Sequence, residues 1–279
     1  MRRRAGAAVV CLLQDEDVWL DALPPTLRSE AETELARRAA DADRLIAITR
    51  TYADRISRRL ALPANRVAVV PPVIQPPPGP PAPLPDRPPV LGYYARLIAD
   101  RGLDDAAWRL LRHEPGLAAL RLRLGAGAAA SDRPHLRRLL RSFTAAERAG
   151  SIVETDHDHA RRWEFYRAIS VLSTPARVED GGGLQSLEAM ALGMPVVQPD
   201  RGAFGEIVRQ TGGGLVYFPQ TPEALAAALA PLLWEPERLR ELGRIGRAAV
   251  AGMCDPNVVS ASWLAEFEAA ISTRRSDRA

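Results

Sequence analysis

Nine of the fifteen residues from Pro71 to Pro85 are proline. Neither a helix interior nor a central strand holds that density, because proline lacks the amide N–H that both need and its ring fixes φ. Such a run is extended and stiff. The chain must therefore fold as parts on either side of it. A ligand for a proline-recognising module is the other use of such a run; a hinge between domains is the expected one. The division predicted is a first part over 1–71, a linker over 72–88, a second domain over 89–254 and a terminal helix with its tail over 255–279.

On both sides, short apolar runs alternate with amphipathic ones. Ala7–Leu13, Asp43–Thr49 and Arg66–Pro71 read as strands, with helices over Leu27–Ala40 and Tyr52–Leu60 between them. Beyond the linker, strands are predicted at Val90–Ala95, Leu117–Leu124, Ser151–Thr155, Ala168–Thr174, about Val197 and within Thr211–Phe218. Helices fall between them, including Asp104–Leu111, Pro134–Phe143, Arg161–Arg167 and one starting near Leu184. A loop is expected over Gln198–Gly205 and a short helix over Glu206–Arg209, then helices over Pro222–Leu233 and Pro236–Val250. This alternation implies parallel sheets flanked by helices, an α/β fold. Asp255 as N-cap with Pro256 after it starts a last helix to about Ile271. Three strands before the linker would leave a small sheet with an exposed edge and an uncovered apolar face, which invites a partner chain or an oligomer.

Composition excludes several classes. The chain has 279 residues, is 47% hydrophobic and 25% charged, and carries a net charge of +3. This is ordinary globular composition. All 37 basic residues are arginine, interspersed with acids, so no stripe for nucleic acid is present. Met1-Arg-Arg-Arg4 followed by Ala5–Leu13 runs directly into Gln14-Asp-Glu-Asp17 without a cleavage site, and reads as a strand, not a leader. No run spans a bilayer. Cys11 and Cys254 have no metal-ligand spacing and read as free thiols of a reducing compartment. Asp15-x-Asp17 and His157-x-His159 each invite a metal reading, but neither has a third ligand at a defined spacing, so solvated loops are expected.

The chemistry concentrates in Glu179-Asp-Gly-Gly-Gly-Leu-Gln-Ser-Leu-Glu188. Gly181 to Gly183 can take backbone angles closed to other residues and let a ligand approach the main chain. The helix that follows presents unpaired amides and partial positive charge at Leu184, a place for an anion. Leu184, Leu187 and Ala191 share a helical face expected to enter a core, with Glu188 beside it. A carboxylate there needs hydrogen-bond partners, and two adjacent ligand hydroxyls would supply them. Gly125-Ala-Gly-Ala-Ala-Ala130 nearly matches a dinucleotide fingerprint, which keeps an NAD-dependent oxidoreductase open as an alternative.

The segment from Asp180 to Glu188 and on through Gly-Met-Pro-Val-Val197 resembles the E-x7-E region of the retaining glycosyltransferases of family 4, which have the two-domain GT-B fold. Asp180 stands where that family has Glu, with Glu179 as a second candidate; Gly182 stands where an aromatic is common. Arg96-Leu-Ile-Ala-Asp-Arg101-Gly-Leu-Asp resembles the segment whose Arg and Lys hold the donor diphosphate, with Arg101 in place of Lys. Gly205-Glu-Ile-Val and Thr211-Gly resemble later family segments. The resemblance implies a Rossmann-like second domain that binds a nucleotide sugar, a truncated Rossmann-like first part, and a terminal helix that crosses back to the first domain with Trp263 and Phe267 as its anchors. It implies hexose transfer to an unidentified glycan, lipid or small molecule, with no metal or other cofactor. Arg96, Arg101, Asp180 and Glu188 would be the catalytic set, and Glu179, Gly182, Gly183 and Leu184 the donor contacts. A cytoplasmic place, peripheral at the inner membrane, goes with that reading. A non-catalytic nucleotide-sugar-binding module or partner subunit is the alternative from another class.

Overall fold

The computed structural model of the chain describes residues 7–63, 65–84, 88–96, 98–125, 132–144, 152–154 and 161–276. Ala126 to Ala130 of the glycine-rich fingerprint, and His157 and His159, lie outside them. The chain forms two α/β units. One comprises Met1–Val73, Asp180–Gly182 and Met253–Ala279; the other comprises Ile74–Glu179 and Gly183–Gly252.

The first unit runs β1 (Val10–Leu12), α1 (Glu16–Asp21), α2 (Pro25–Asp41), β2 (Arg44–Ala47), α3 (Arg50–Arg59) and β3 (Val67–Val69). Its sheet is parallel, in the order β1-β2-β3. Side chains alternate across the pleat, so each strand serves two faces. Leu45, Ala47 and Val67 pack with Ala39 of α2 and with Tyr52, Ala53 and Ile56 of α3. Ile46 and Val70 meet Val259 of the terminal helix, Pro256–Ser276, with Ala68 and Trp263 beside them. The apolar face expected to lie bare is thus covered by the chain's own last helix. Trp263 anchors that helix as expected. Phe267 does not: it is 42% exposed, and the buried contacts are Val259 and Ala270. Asp255 caps the helix by accepting from Asn257 N–H at 2.8 Å. The strand edge behaves as expected: among the described residues nothing pairs with the outer side of β1, where Cys11 and Leu12 are exposed.

The second unit runs β4 (Val90–Tyr93), a 3-10 turn (Ala99–Arg101), α4 (Asp105–His113), β5 (Arg121–Gly125), α5 (Arg133–Arg141), β6 (Ile152–Glu154), α6 (Arg162–Arg167), β7 (Val171–Leu172), α7 (Leu184–Ala191), β8 (Val196–Pro199), α8 (Gly202–Thr211), β9 (Gly214–Tyr217), α9 (Pro222–Leu233) and α10 (Pro236–Met253). The six strands are parallel in the order β6-β5-β4-β7-β8-β9. Caps are where the residue types put them. Asp104 accepts from Ala107 N–H at 2.9 Å, and Thr221, with Pro222 after it, accepts from Ala224 N–H at 3.3 Å. The core joins Leu91, Tyr93 and Leu122 of the sheet to Trp108 and Leu111 of α4 and Leu229 of α9. Residues 74–84 of the proline run lie along this unit: Ala82 N–H donates to Leu192 O at 3.0 Å, and Leu84 packs on the core. Among the described residues no helix is long and apolar enough to cross a membrane.

Three elements differ from the sequence reading. The loop expected at Asp15–Asp17 runs into α1, which begins at Glu16 and buries Asp17. The expected loop before Glu206 is largely the start of α8, which begins at Gly202. Its two glycines depress helix propensity, but Ala203, Phe204 and Ile207 are buried and the packing outweighs it. The strand expected over Ala168–Thr174 pairs only at Val171 and Leu172.

Candidate functional site

From β4 the chain builds outward through β5 to β6. It then returns to set β7 against the other side of β4, and builds the opposite way. β4 and β7 therefore flank a topological switch point. In open parallel sheets the crevice outside the carboxyl ends of such strands is where ligands bind. Two of the candidate segments leave the sheet there. Arg96 and Arg101 follow β4, and the loop into α7 follows β7. The two loops are joined. Arg177 N–H donates to Asp100 O at 2.8 Å, and Ser173 N–H to Gly92 O at 3.0 Å. Gly102 sits at φ +79° so close to Pro175 that a Cβ would fall 1.7 Å from its carbonyl oxygen. The turn bearing Arg101 is thereby fixed against the β7 loop.

Arg96 is not a free solvated arginine. Its Nε and Nη2 donate to the two oxygens of Asp132 at 3.1 and 2.9 Å. Asp132 stands just before α5 and is buried. The pair leaves the Nη1 side of the guanidinium for a ligand, since an arginine has five N–H donors and the carboxylate takes two. Tyr93 O–H donates to Arg96 O at 2.8 Å and fixes the backbone beneath.

The start of α7 is set by Gly183, at φ +58°. A Cβ there would lie 2.5 Å from Ile207 Cδ1, so a larger residue would need that side chain to turn aside and would hold a strained backbone angle. Leu187 and Ala191 enter the core as expected, but Leu184 does not: at 41% exposure it lies in the first turn, outside the core that later turns enter. Gln198, fully buried on β8, ties the β7 loop to the helix. Its Oε1 accepts from Thr174 N–H at 2.8 Å and its Nε2 donates to Ser186 Oγ at 2.9 Å.

Glu188 is buried, and its carboxylate already has protein partners. Arg162 Nε lies 2.9 Å from Oε1, and Tyr166 O–H donates to Oε2 at 2.9 Å. The expectation that ligand hydroxyls alone would satisfy this acid is corrected accordingly. Burial and the neighbouring carboxylate push the Tyr166 phenol well above its ordinary range, so it stays a donor.

Asp180 and Gly182 are held within the first unit. Asp180 is buried and accepts from Gly182 N–H at 3.0 Å. Gly181 is gripped on both sides: its N–H donates to Asp15 Oδ1 at 2.7 Å and its carbonyl accepts from Thr49 Oγ at 2.7 Å. Asp15 is therefore not the solvated loop acid expected. Burial, then the charge of Asp180, raise its carboxyl to about 6. Asp17 pairs with Arg55 at 2.6 Å. Among the described residues no three ligating side chains cluster for a metal. Glu179 is exposed and has contacts of its own.

Residues 152–249 match the family model for the glycosyl transferases group 1. Among curated relatives, a D-inositol 3-phosphate glycosyltransferase from Segniliparus rotundus is 28% identical over 253 residues, 83% of this chain and 53% of that one. The chain thus spans about half the length of the curated relatives it matches. Among solved structures, a sucrose-phosphate synthase from Thermosynechococcus elongatus superposes with a TM-score of 0.76 at 19% identity, covering 94% of this chain and 68% of that one. HepE from Anabaena, crystallised with UDP and glucose, gives 0.75 at 15% identity, covering 96% and 73%. The fold is of the GT-B type, built from Rossmann-like units with parallel sheets.

The matched segment contains β7, the glycine loop, α7 and α8, and so Glu188 with both its partners. Asp132, Arg162, Tyr166, Gln198, Asp15 and Thr49 were not singled out from sequence for these contacts. Arg162 and Tyr166 carried a signal, being four apart on the helix before β7 and so on one face. Asp132 carried none.

Proposed function

We propose that the chain carries the nucleotide-sugar-binding part of a retaining glycosyltransferase of family 4. It would move a hexose from a nucleoside diphosphate sugar to a glycan, lipid or small-molecule acceptor. The observation that carries this reading is the convergence, at the β4–β7 switch point, of the loop bearing Arg96 and Arg101 with the loop that starts α7. As the glycosidic bond breaks, negative charge grows on the leaving diphosphate. Arg96, Arg101 and the amides of Gly183 and Leu184 are suited to stabilise it. That assigns charge neutralisation to the protein and does without a divalent ion. Glu188 would hold ribose hydroxyls and Asp180 hydroxyls of the donor sugar, with Gly182 close to the donor and Glu179 at its rim. The relative bound to UDP supports a uridine nucleotide as the first donor to try.

A second reading, a donor-binding module without turnover, is favoured by Asp180, one methylene shorter than the glutamate of the family that the segment resembles. Thermal shift and calorimetry with UDP, GDP, ADP and NAD, with and without EDTA, test the first reading. At one hundred times the dissociation constant, binding stabilises by about 2.7 kcal/mol. A shift with NAD and none with any nucleoside diphosphate refutes it. Donor hydrolysis and transfer by the chain then separate enzyme from module; the latter predicts binding without turnover.

A further inference from the structure

The helix α5 (Arg133–Arg141) carries four arginines and no acid. Its apolar residues settle how it lies: Leu136 and Leu139 enter the core, and His135 Nε2 donates to Leu103 O at 3.0 Å. The other side of the helix presents Arg133, Arg137, Arg138 and Arg141, all exposed. Elsewhere exposed arginines meet acids, as Arg37 and Arg38 meet Glu34 and Arg244 meets Glu241. Among the described residues no acid pairs with any of the four on α5. The helix itself gains little from them. Arg133 and Arg137, and Arg137 and Arg141, are like charges four apart. Arg133 stands at the N-terminal end, where the dipole disfavours a cation; only Arg138 and Arg141, in the last turn, complement it. These four charges exceed the +3 of the whole chain.

Against this face lies an open cavity of about 560 Å³, lined by Pro134, Arg137, Arg138, Leu140 and Arg141. That is the size of a small-molecule site. Positions 137, 138 and 141 fall within about 6 Å along the helix axis. The unpaired charge does not continue onto α4, which packs against α5. Arg112 there donates to Leu117 O and Leu120 O at 3.2 Å, and Arg109 has partners of its own. A compact anion therefore fits better than a long polyanion. We propose that this face of α5 is a further anion site, which takes a small ligand bearing two or more phosphoryl groups in succession. Each guanidinium is a planar fork that matches phosphate oxygens. Pro134 and Leu140 give the less polar part of such a ligand a surface to lie on. None of these residues is among the donor contacts proposed above.

Calorimetry with inorganic tripolyphosphate tests this, on the full chain at fixed ionic strength and in excess UDP, so that a donor site is filled. The wild type should bind tripolyphosphate, and orthophosphate about tenfold more weakly or worse. Arg137→Gln, Arg138→Gln and Arg141→Gln combined should weaken tripolyphosphate binding by about tenfold or more and leave UDP affinity as it was. The three side chains are exposed and alike in charge, so this variant should melt no lower than the wild type. If it does not fold, the three single substitutions take its place, each losing part of the affinity. Arg137→Lys, Arg138→Lys and Arg141→Lys combined keep the charge but not the forks, and should weaken binding too. Three results overturn the proposal: no binding of tripolyphosphate by the wild type, undiminished binding by the glutamine variant, or undiminished binding by the lysine variant, which would leave charge alone as the cause. Binding of a single-stranded oligonucleotide without binding of tripolyphosphate overturns it as well and makes the face a polyanion surface. UDP affinity is read separately in every arm, so the donor reading stands or falls independently.

Discussion

Asp132→Asn isolates the placement of Arg96 from its charge. Asp132 is 2% exposed at its side chain and Arg96 is 56% exposed. The substitution keeps shape and one acceptor oxygen, but turns an NH2 group toward a guanidinium N–H, so one charge-assisted bond is lost. Such a bond is worth about 1.5–3 kcal/mol at most. The arginine is more than half in water and recovers hydration when released, so the net cost to stability should be about 1–2 kcal/mol. For a chain of this size that lowers the melting temperature by roughly 3–6 °C. The effect on binding is separate. An arginine no longer forked on Asp132 must be ordered by the ligand, and UDP affinity should fall about tenfold, or ~1.4 kcal/mol. Uridine affinity should be unchanged, since it carries no phosphate. Calorimetry with UDP and uridine at fixed ionic strength reads both. Arg96→Ala combined with Asp132→Asn should bind UDP no worse than Arg96→Ala alone, because the acid acts only through the arginine. If Asp132→Asn lowers the melting temperature but leaves UDP affinity within about twofold of wild type while Arg96→Ala loses it, the acid merely anchors α5 and the placement argument is wrong.

Three further outcomes are expected. Arg101→Ala should weaken UDP binding by about 1.5–3 kcal/mol and uridine binding far less; equal losses in calorimetry would mean the side chain does not meet phosphate. Gly183→Ala should destabilise the chain by about 1–3 kcal/mol in a thermal melt, from the φ of +58° and the contact with Ile207, and a neutral result would show that the α7 start adapts. The Asp15 carboxyl titrates near 6 in the fold, above its ordinary 3.8. The native chain therefore holds that proton where the unfolded one has lost it, and stability falls as pH rises through the interval. The side chain is 36% exposed, so the penalty above pH 7 is discounted to about 1 kcal/mol. Asp15→Asn, which can still accept from Gly181, should melt roughly 2–4 °C higher than wild type at pH 7.5 and equal it at pH 4; an equal gain at both would refute the assignment.

The architecture was legible because its determinants are local. Nine prolines in fifteen residues forbid regular structure, and apolar runs of strand and helix period alternate on both sides. What stayed hidden in the fold was decided at long range. α8 opens on Gly202 and includes Gly205, which argue against a helix until Phe204 and Ile207 are seen to be buried. The terminal helix runs to Ser276, and which of its apolar residues anchor it depends on Ile46 and Val70, nearly two hundred positions earlier.

The site divides along the same line. Gly183, the start of α7 and the inward setting of Glu188 follow from residue types and a 3.6-residue period. The partners do not. Asp132 lies 36 residues from Arg96, Tyr166 lies 22 from Glu188, and Asp15 lies 166 from Gly181. Spacing establishes that a carboxylate at position 188 must be satisfied; it does not establish by what. A diol, a water, an arginine or a phenol would each meet that need, and the choice is made by the side chains that α6 brings to the carboxylate. The consequence is chemical as well as structural. A carboxylate awaiting its first hydrogen bonds would favour any polar ligand that entered. One already paired with Arg162 and bonded by Tyr166 has its burial offset within the fold before any ligand arrives.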